Sequence, residues 1–220
     1  MTRRGLLLSA FSWPDFGELQ LKMKPSEDML RIAEFIVTKE GRFDADGRLV
    51  VYKLPRGDGG GSYEVAGIND KFHPGMARHL RGLIEGGNHE EAMTQATCYI
   101  AEYVGSAASY HESYAVDVFL MDCSFNRGPT GAVKILQQAL KTAGLYGGKI
   151  DGKAGPLVQD ALLRISGEDL IFRLLLSRQW YERCIVGRSE SNPLWNGLVN
   201  RWINVAQFAV RLGNPYKNLA

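Results

Sequence analysis

From Pro74 onward, apolar residues recur at the three- and four-residue spacing of α-helices, and this periodicity constrains the fold more than any other feature. It predicts helices over about 75–85, 88–109, 112–123, 131–143, 156–165, 167–184 and 193–212, separated by Gly, Asn or Pro. An earlier helix begins at Pro25-Ser26-Glu27-Asp28, where Ser26 can cap it and two carboxylates favour its positive end. Met29, Ala33, Ile36, Val37 and then Glu40 fall on one face, and Gly41 stops the helix. Between these helical regions the pattern changes: Arg48-Leu-Val-Val-Tyr-Lys-Leu54 reads as a strand, 55–61 as a glycine-rich turn, and Ser62-Tyr-Glu-Val-Ala-Gly67 as a returning strand. The expected class is mainly α with α+β character, a helical bundle carrying one small β-hairpin lobe.

At 220 residues, with 45% hydrophobic and 23% charged content, the chain can bury a substantial core in one or two domains. Its 26 basic and 24 acidic side chains leave +2, too little for a nucleic-acid footprint. Cys98, Cys123 and Cys184 are odd in number and lack zinc-site spacing, so reduced and mostly buried thiols are expected. Met1-Thr-Arg-Arg4 before a short apolar run has the charge of a signal peptide, but the run is short and no clear cleavage site follows. The expectation is a cytoplasmic product with a loose leader, and no apolar stretch reaches the roughly 20 residues that span a bilayer. The expected partition is an extension over 1–24, a catalytic lobe over 25–128, a helical lobe over 129–212 and a tail over 213–220. The seam lies around Asn126-Arg-Gly-Pro129, without a flexible linker, and the lobes are expected to pack as one monomeric unit.

Carboxylates offer the clearest chemistry. Glycoside hydrolysis commonly needs one carboxyl group still protonated near neutral pH and a second that activates water or stabilises the developing cation. Glu40 suits the first role, because burial and a helix C-terminus both raise a carboxyl pKa. The same spacing also describes an exposed residue finishing an amphipathic helix. Asp58, on the glycine-rich turn, can project into a cleft or satisfy backbone donors of the turn. Glu64 lies on the opposite strand face from Tyr63 and Val65, directed to a cleft or to water. Ser62 can hold a nucleophilic water or make a turn hydrogen bond, and Tyr63 is the neighbouring aromatic candidate for substrate contact. Asn126 can bind an N-acetyl group or cap a turn.

Other motifs point away from different chemistries. His73, His79, His89 and His111 show no metal-ligand spacing, and neither a metal nor a cofactor is expected. No Gly-x-Ser-x-Gly elbow, Walker loop or dinucleotide fingerprint is present. Asp151-Gly-Lys-Ala-Gly-Pro156 reads as a structural tight turn, with Tyr146 as its nearby aromatic. Trp180, Tyr181, Trp195 and Trp202 fall within helical patterns and read as core.

Together, the helix ending in Glu40-Gly41, the hairpin through Asp58-Gly-Gly-Gly-Ser62 and Ala66-Gly67-Ile68 resemble the Glu-Gly-Gly … Asp-Pro-Gly-Gly-x-Thr … Gly-Ile signature of glycoside hydrolase family 108, lysozyme-like muramidases of the phage endolysin type. Phe125-Asn-Arg-Gly128, Ala132-Val-Lys-Ile-Leu-Gln-Gln-Ala-Leu140, Ile150-Asp-Gly-Lys-Ala-Gly-Pro156 and Trp195-Asn-Gly-Leu-Val-Asn-Arg201 resemble the peptidoglycan-binding region that accompanies it. The resemblance covers about residues 26–205. It implies a lysozyme-like fold and cleavage of the β-1,4 bond between N-acetylmuramic acid and N-acetylglucosamine. The protein would be made in a host cytoplasm and act on the periplasmic or cell-wall polymer. Glu40 matches the catalytic glutamate, Asp58 the aspartate and Ser62 the threonine. Arg42 departs from the second glycine, Gly59 stands where proline is expected, and the interval from Glu40 to Asp58 is longer. These departures leave Asp58 and Glu64 both open as the second carboxylate. They also leave open a lytic transglycosylase or a non-catalytic peptidoglycan-binding or structural protein.

Overall fold

A computed structural model describes residues 25–55, 61–107 and 110–212. The leader, the tail and Asp58 lie outside the described residues. The protein is mainly helical with one small antiparallel sheet, and it divides into two compact units meeting in sequence at Tyr103 and Val104.

In the first unit, helix α1 spans Glu27–Glu40. Ser26 caps it by accepting a hydrogen bond from the Met29 amide at 3.2 Å, as its position ahead of two acidic residues leads one to expect. Its buried stripe is Ile32, Ala33, Ile36 and Val37. Strands β1 (Tyr52–Lys53), β2 (Tyr63–Val65) and β3 (Ile68–Asn69) form a sheet in the order β1-β2-β3. Helices α2 (Pro74–Glu85) and α3 (His89–Val104) follow, and α2 packs on β2 and β3. Val65 and Ile68 pair across the sheet and are fully buried, joining Leu80 and Ala77 of α2 in the core.

The sheet is more elaborate than one hairpin. Residues 48–54 do not form a single strand: Leu49 bridges back to Phe43, and only Tyr52 and Lys53 pair with β2. The first turn is closed by Asp44, whose carboxylate accepts from the amides of Asp46 and Arg48 at 3.0 and 2.9 Å. Ala66 and Gly67, both at positive φ, then reverse the chain into β3, a two-residue strand too short to leave a periodic signal.

The second unit is built on α4 (Tyr114–Thr142), α5 (Pro156–Leu162), α6 (Gly167–Tyr181) and α7 (Trp195–Leu212), with α4 packed against the other three. Gly128, at φ 70° and ψ 163°, bends α4 just before Pro129, so the Asn-Arg-Gly-Pro segment is a kink between two helical stretches. Helix α6 ends earlier than expected and passes into a π-turn over Glu182–Val186, closed by Gly187 at positive φ. Trp202 and Trp195 are buried edge to face at 5.8 Å and Tyr181 is buried, as expected of core residues, whereas Trp180 is only half-buried. Cys123 is buried, but Cys98 is half-buried and Cys184 exposed, so burial of the thiols is less general than expected. Among the described residues, no helix is long and apolar enough to cross a membrane.

Candidate functional site

Glu40 is the last residue of α1 and is half-buried. It stands one helical turn beyond the buried pair Ile36 and Val37, so the apolar stripe carries it to the edge of the core. Gly41 is required by close approach: a β-carbon there would lie 2.8 Å from the Val37 carbonyl oxygen and 2.9 Å from the Phe43 ring. Its amide donates to that carbonyl at 2.7 Å, which ends the helix and turns the chain into the sheet region.

The sheet register decides which side chains share a face. Tyr52 lies opposite Glu64, and Glu64 opposite Asn69, so these three form one row across all three strands. Arg42, two residues after Glu40, places its guanidinium 5.0 Å from the centroid of the Tyr52 ring. The sheet therefore presents a row containing the half-buried Glu64 beside a tyrosine covered by Arg42.

Tyr63 belongs to the opposite face with Val65, where the guanidinium of Arg81 on α2 lies 5.1 Å from its ring centroid. Arg81 is held in turn by Glu85 at 2.6 Å. Ser62 is exposed, and its amide donates to the carboxylate of Asp70 at 2.7 Å. The Tyr63 amide donates to the same oxygen at 3.3 Å. Desolvation pushes the Asp70 carboxyl upward, but these amides and the Ser62 hydroxyl outweigh it and hold the group below the usual carboxylate range. Asp70 thus closes the loop that enters β2, a role the sequence reading did not assign to it.

A second cluster lies at the start of α2. His73 is largely buried, shares a hydrogen bond with the Tyr99 hydroxyl at 2.9 Å, and meets the rings of Tyr99 and Tyr103 edge to face. Burial lowers the imidazole pKa to about 4 and raises that of Tyr99 to about 12. His73 and Tyr99 are 26 positions apart, a separation that leaves no local motif.

Asn126 lies in the second unit, where its side-chain amide donates to the Asp122 carbonyl at 3.0 Å and its own carbonyl accepts from Arg127 at 2.8 Å. Glu40, Ser62, Tyr63 and Glu64 all belong to the first unit. The Asp151-Gly-Lys segment is a clamped loop. The buried Gln137 amide nitrogen donates to Asp151 at 2.8 Å and to the Lys153 carbonyl at 3.0 Å, while its oxygen accepts from the Gly152 amide at 2.8 Å. Tyr146 is buried and donates to the Lys149 carbonyl at 2.7 Å, so its ring is not an exposed platform. Among the described residues, no group of His, Cys, Asp or Glu is arranged to hold a metal ion.

No family model and no curated protein sequence matches the chain. Among solved structures it is similar to Brucella abortus SagA, with a TM-score of 0.58 and 18% identity over 86% of this chain and 97% of that one. At that identity the likeness shows a shared fold.

Proposed function

We propose that this protein is a peptidoglycan hydrolase of the lysozyme-like kind, acting on the bond between N-acetylmuramic acid and N-acetylglucosamine. In this reading Glu40 protonates the glycosidic oxygen, and Glu64 or Asp58 assists water or stabilises the oxocarbenium-like state. The observation that carries the proposal is the position of Glu40, half-buried at the end of an apolar helical stripe that leads directly into the sheet bearing Glu64. The motif resemblance along both units supplies the polymer, and the fold shared with SagA is compatible with it.

The test is Glu40→Gln assayed on purified murein. Release of reducing ends should fall at least about a hundredfold while the far-ultraviolet circular dichroism is unchanged. Undiminished release by the folded variant overturns the role of Glu40. Mass spectrometry of the products separates hydrolysis, which leaves reducing sugars, from transglycosylation, which leaves anhydro ends.

Arg42 favours a second reading, in which the sheet binds the glycan without cleaving it. Its guanidinium stacks on Tyr52 in the row that contains Glu64, where the resembled family has a glycine. Retention of the wild-type protein on murein without release of sugar ends would select this reading.

A further inference from the structure

The second unit contains a cleft of about 440 Å³, within the range of small-molecule sites. Its walls come from the segment before α4, the first turn of α4, and α5 with the loop after it. Glu112 and Asp117 line it, and among the described residues the lining includes no lysine or arginine. His111 lies among the lining residues, held from both ring nitrogens. The Ser113 amide donates to its Nδ1 at 3.0 Å, and its Nε2 donates to the Ile165 carbonyl at 3.0 Å. Gly167 fixes this wall, since a β-carbon there would collide with the Ser113 side chain.

The remaining lining is divided between hydrogen-bonding and apolar groups. Gln159 contributes an amide and Tyr110 a phenol, while Leu163 is 88% exposed beside them. An anion would be repelled by both carboxylates, whereas a cation gains from them, and an exposed leucine next to those charges matches methylene groups. We propose that this cleft binds a primary ammonium group carried on a short aliphatic chain. Two sources share that chemistry: a free diamine, and the side-chain amine of a diamino acid in a wall stem peptide. The second source rests on the peptidoglycan reading above; the first does not.

The full-length protein is titrated by calorimetry with cadaverine and with purified muropeptides bearing a free side-chain amine. Each titration is repeated with the amine acetylated. Binding of either probe is expected, weakened at least about tenfold by acetylation and by Glu112→Gln or Asp117→Asn. Tighter binding of the muropeptide assigns the site to the wall, and tighter binding of cadaverine assigns it to free diamines. Asp117 lies in the first turn of α4, so if Asp117→Asn unfolds, the exposed Glu112 position and the acetylated ligands decide. Absence of binding by both probes, or binding indifferent to acetylation, overturns the proposal. The same titration on Glu40→Gln protein separates this cleft from hydrolysis, because loss of cleavage should leave amine binding unchanged.

Discussion

The carboxylate of Asp70 occupies the space that a β-carbon on Gly61 would need, while accepting the amides of Ser62 and Tyr63. Glycine at 61 is therefore demanded twice, by this approach and by a φ of +113°. The contact sets how the chain enters β2 and hence the row containing Glu64. Gly61→Ala should destabilise the protein by about 1–3 kcal/mol, read as a lowered urea midpoint with an unchanged slope.

Asp70 also carries a pH signature. Its folded-state pKa lies below the usual value, with desolvation outweighed by hydrogen bonds from Ser62 and Tyr63. Its contribution is thus fully present above the unfolded carboxyl pKa and is lost as pH falls through the folded value. Comparing thermal unfolding of wild type and Asp70→Asn, the wild-type advantage at neutral pH should shrink below about pH 4.

His73 acts in a different window. Burial depresses its pKa from 6.5 to about 4, so between those values the unfolded chain binds a proton that the folded chain excludes. Stability should therefore decline as pH falls from 6.5 to about 4, by roughly 3 kcal/mol if no other group compensates. Replacement by Phe should flatten that part of the melting-temperature profile while removing the Tyr99 hydrogen bond. A profile equally steep in the variant would assign the dependence to other groups.

The second unit buries ion pairs inside an otherwise apolar core. Asp122, 1% exposed, accepts from Arg178 at 2.9 Å and from Arg201 at 2.6 Å, while Glu182 is held by Arg127 and Arg188. Asp122→Ala should cost about 3–5 kcal/mol because it leaves buried guanidinium charge without its partner. Combining it with Arg178→Met should recover part of that loss, giving a non-additive cycle in urea denaturation.

Gln137 is one amide serving three consecutive residues of a loop. Gln137→Leu should expose Gly152 to hydrogen exchange and cost about 1–3 kcal/mol, since the Gly152 amide and Asp151 lose a partner that water replaces incompletely. Protection of Gly152 in a folded variant would show that the tight turn holds itself.

Helix boundaries were legible because apolar periodicity and end signals are local. Ser26, Pro74, Pro156 and Ser166 each begin a helix, and Gly41 and Gly128 mark an end and a bend. The third strand was not legible, because two residues cannot display a period. Glu40 and Glu64 were identifiable as carboxylates at structural transitions, but the placement of Tyr63 against Arg81 and the companionship of Tyr52, Glu64 and Asn69 required the register.

Asp122 and Arg178 show the division most clearly. A charge inside Phe119-Leu-Met-Asp-Cys123 and another inside the apolar α6 pattern are visible by inspection, yet nothing local pairs positions 56 apart. The sequence by itself determined the mainly helical class, the helix ends and the position of Glu40 at the end of an apolar stripe. These follow from backbone propensity and side-chain spacing over a few residues. Only the tertiary structure decided which charges are buried together, which carboxylates line the cleft at Glu112 and Asp117, and which tyrosines cover His73. Such pairings depend on packing between distant segments, where desolvation makes a partner necessary but the chain order does not specify it.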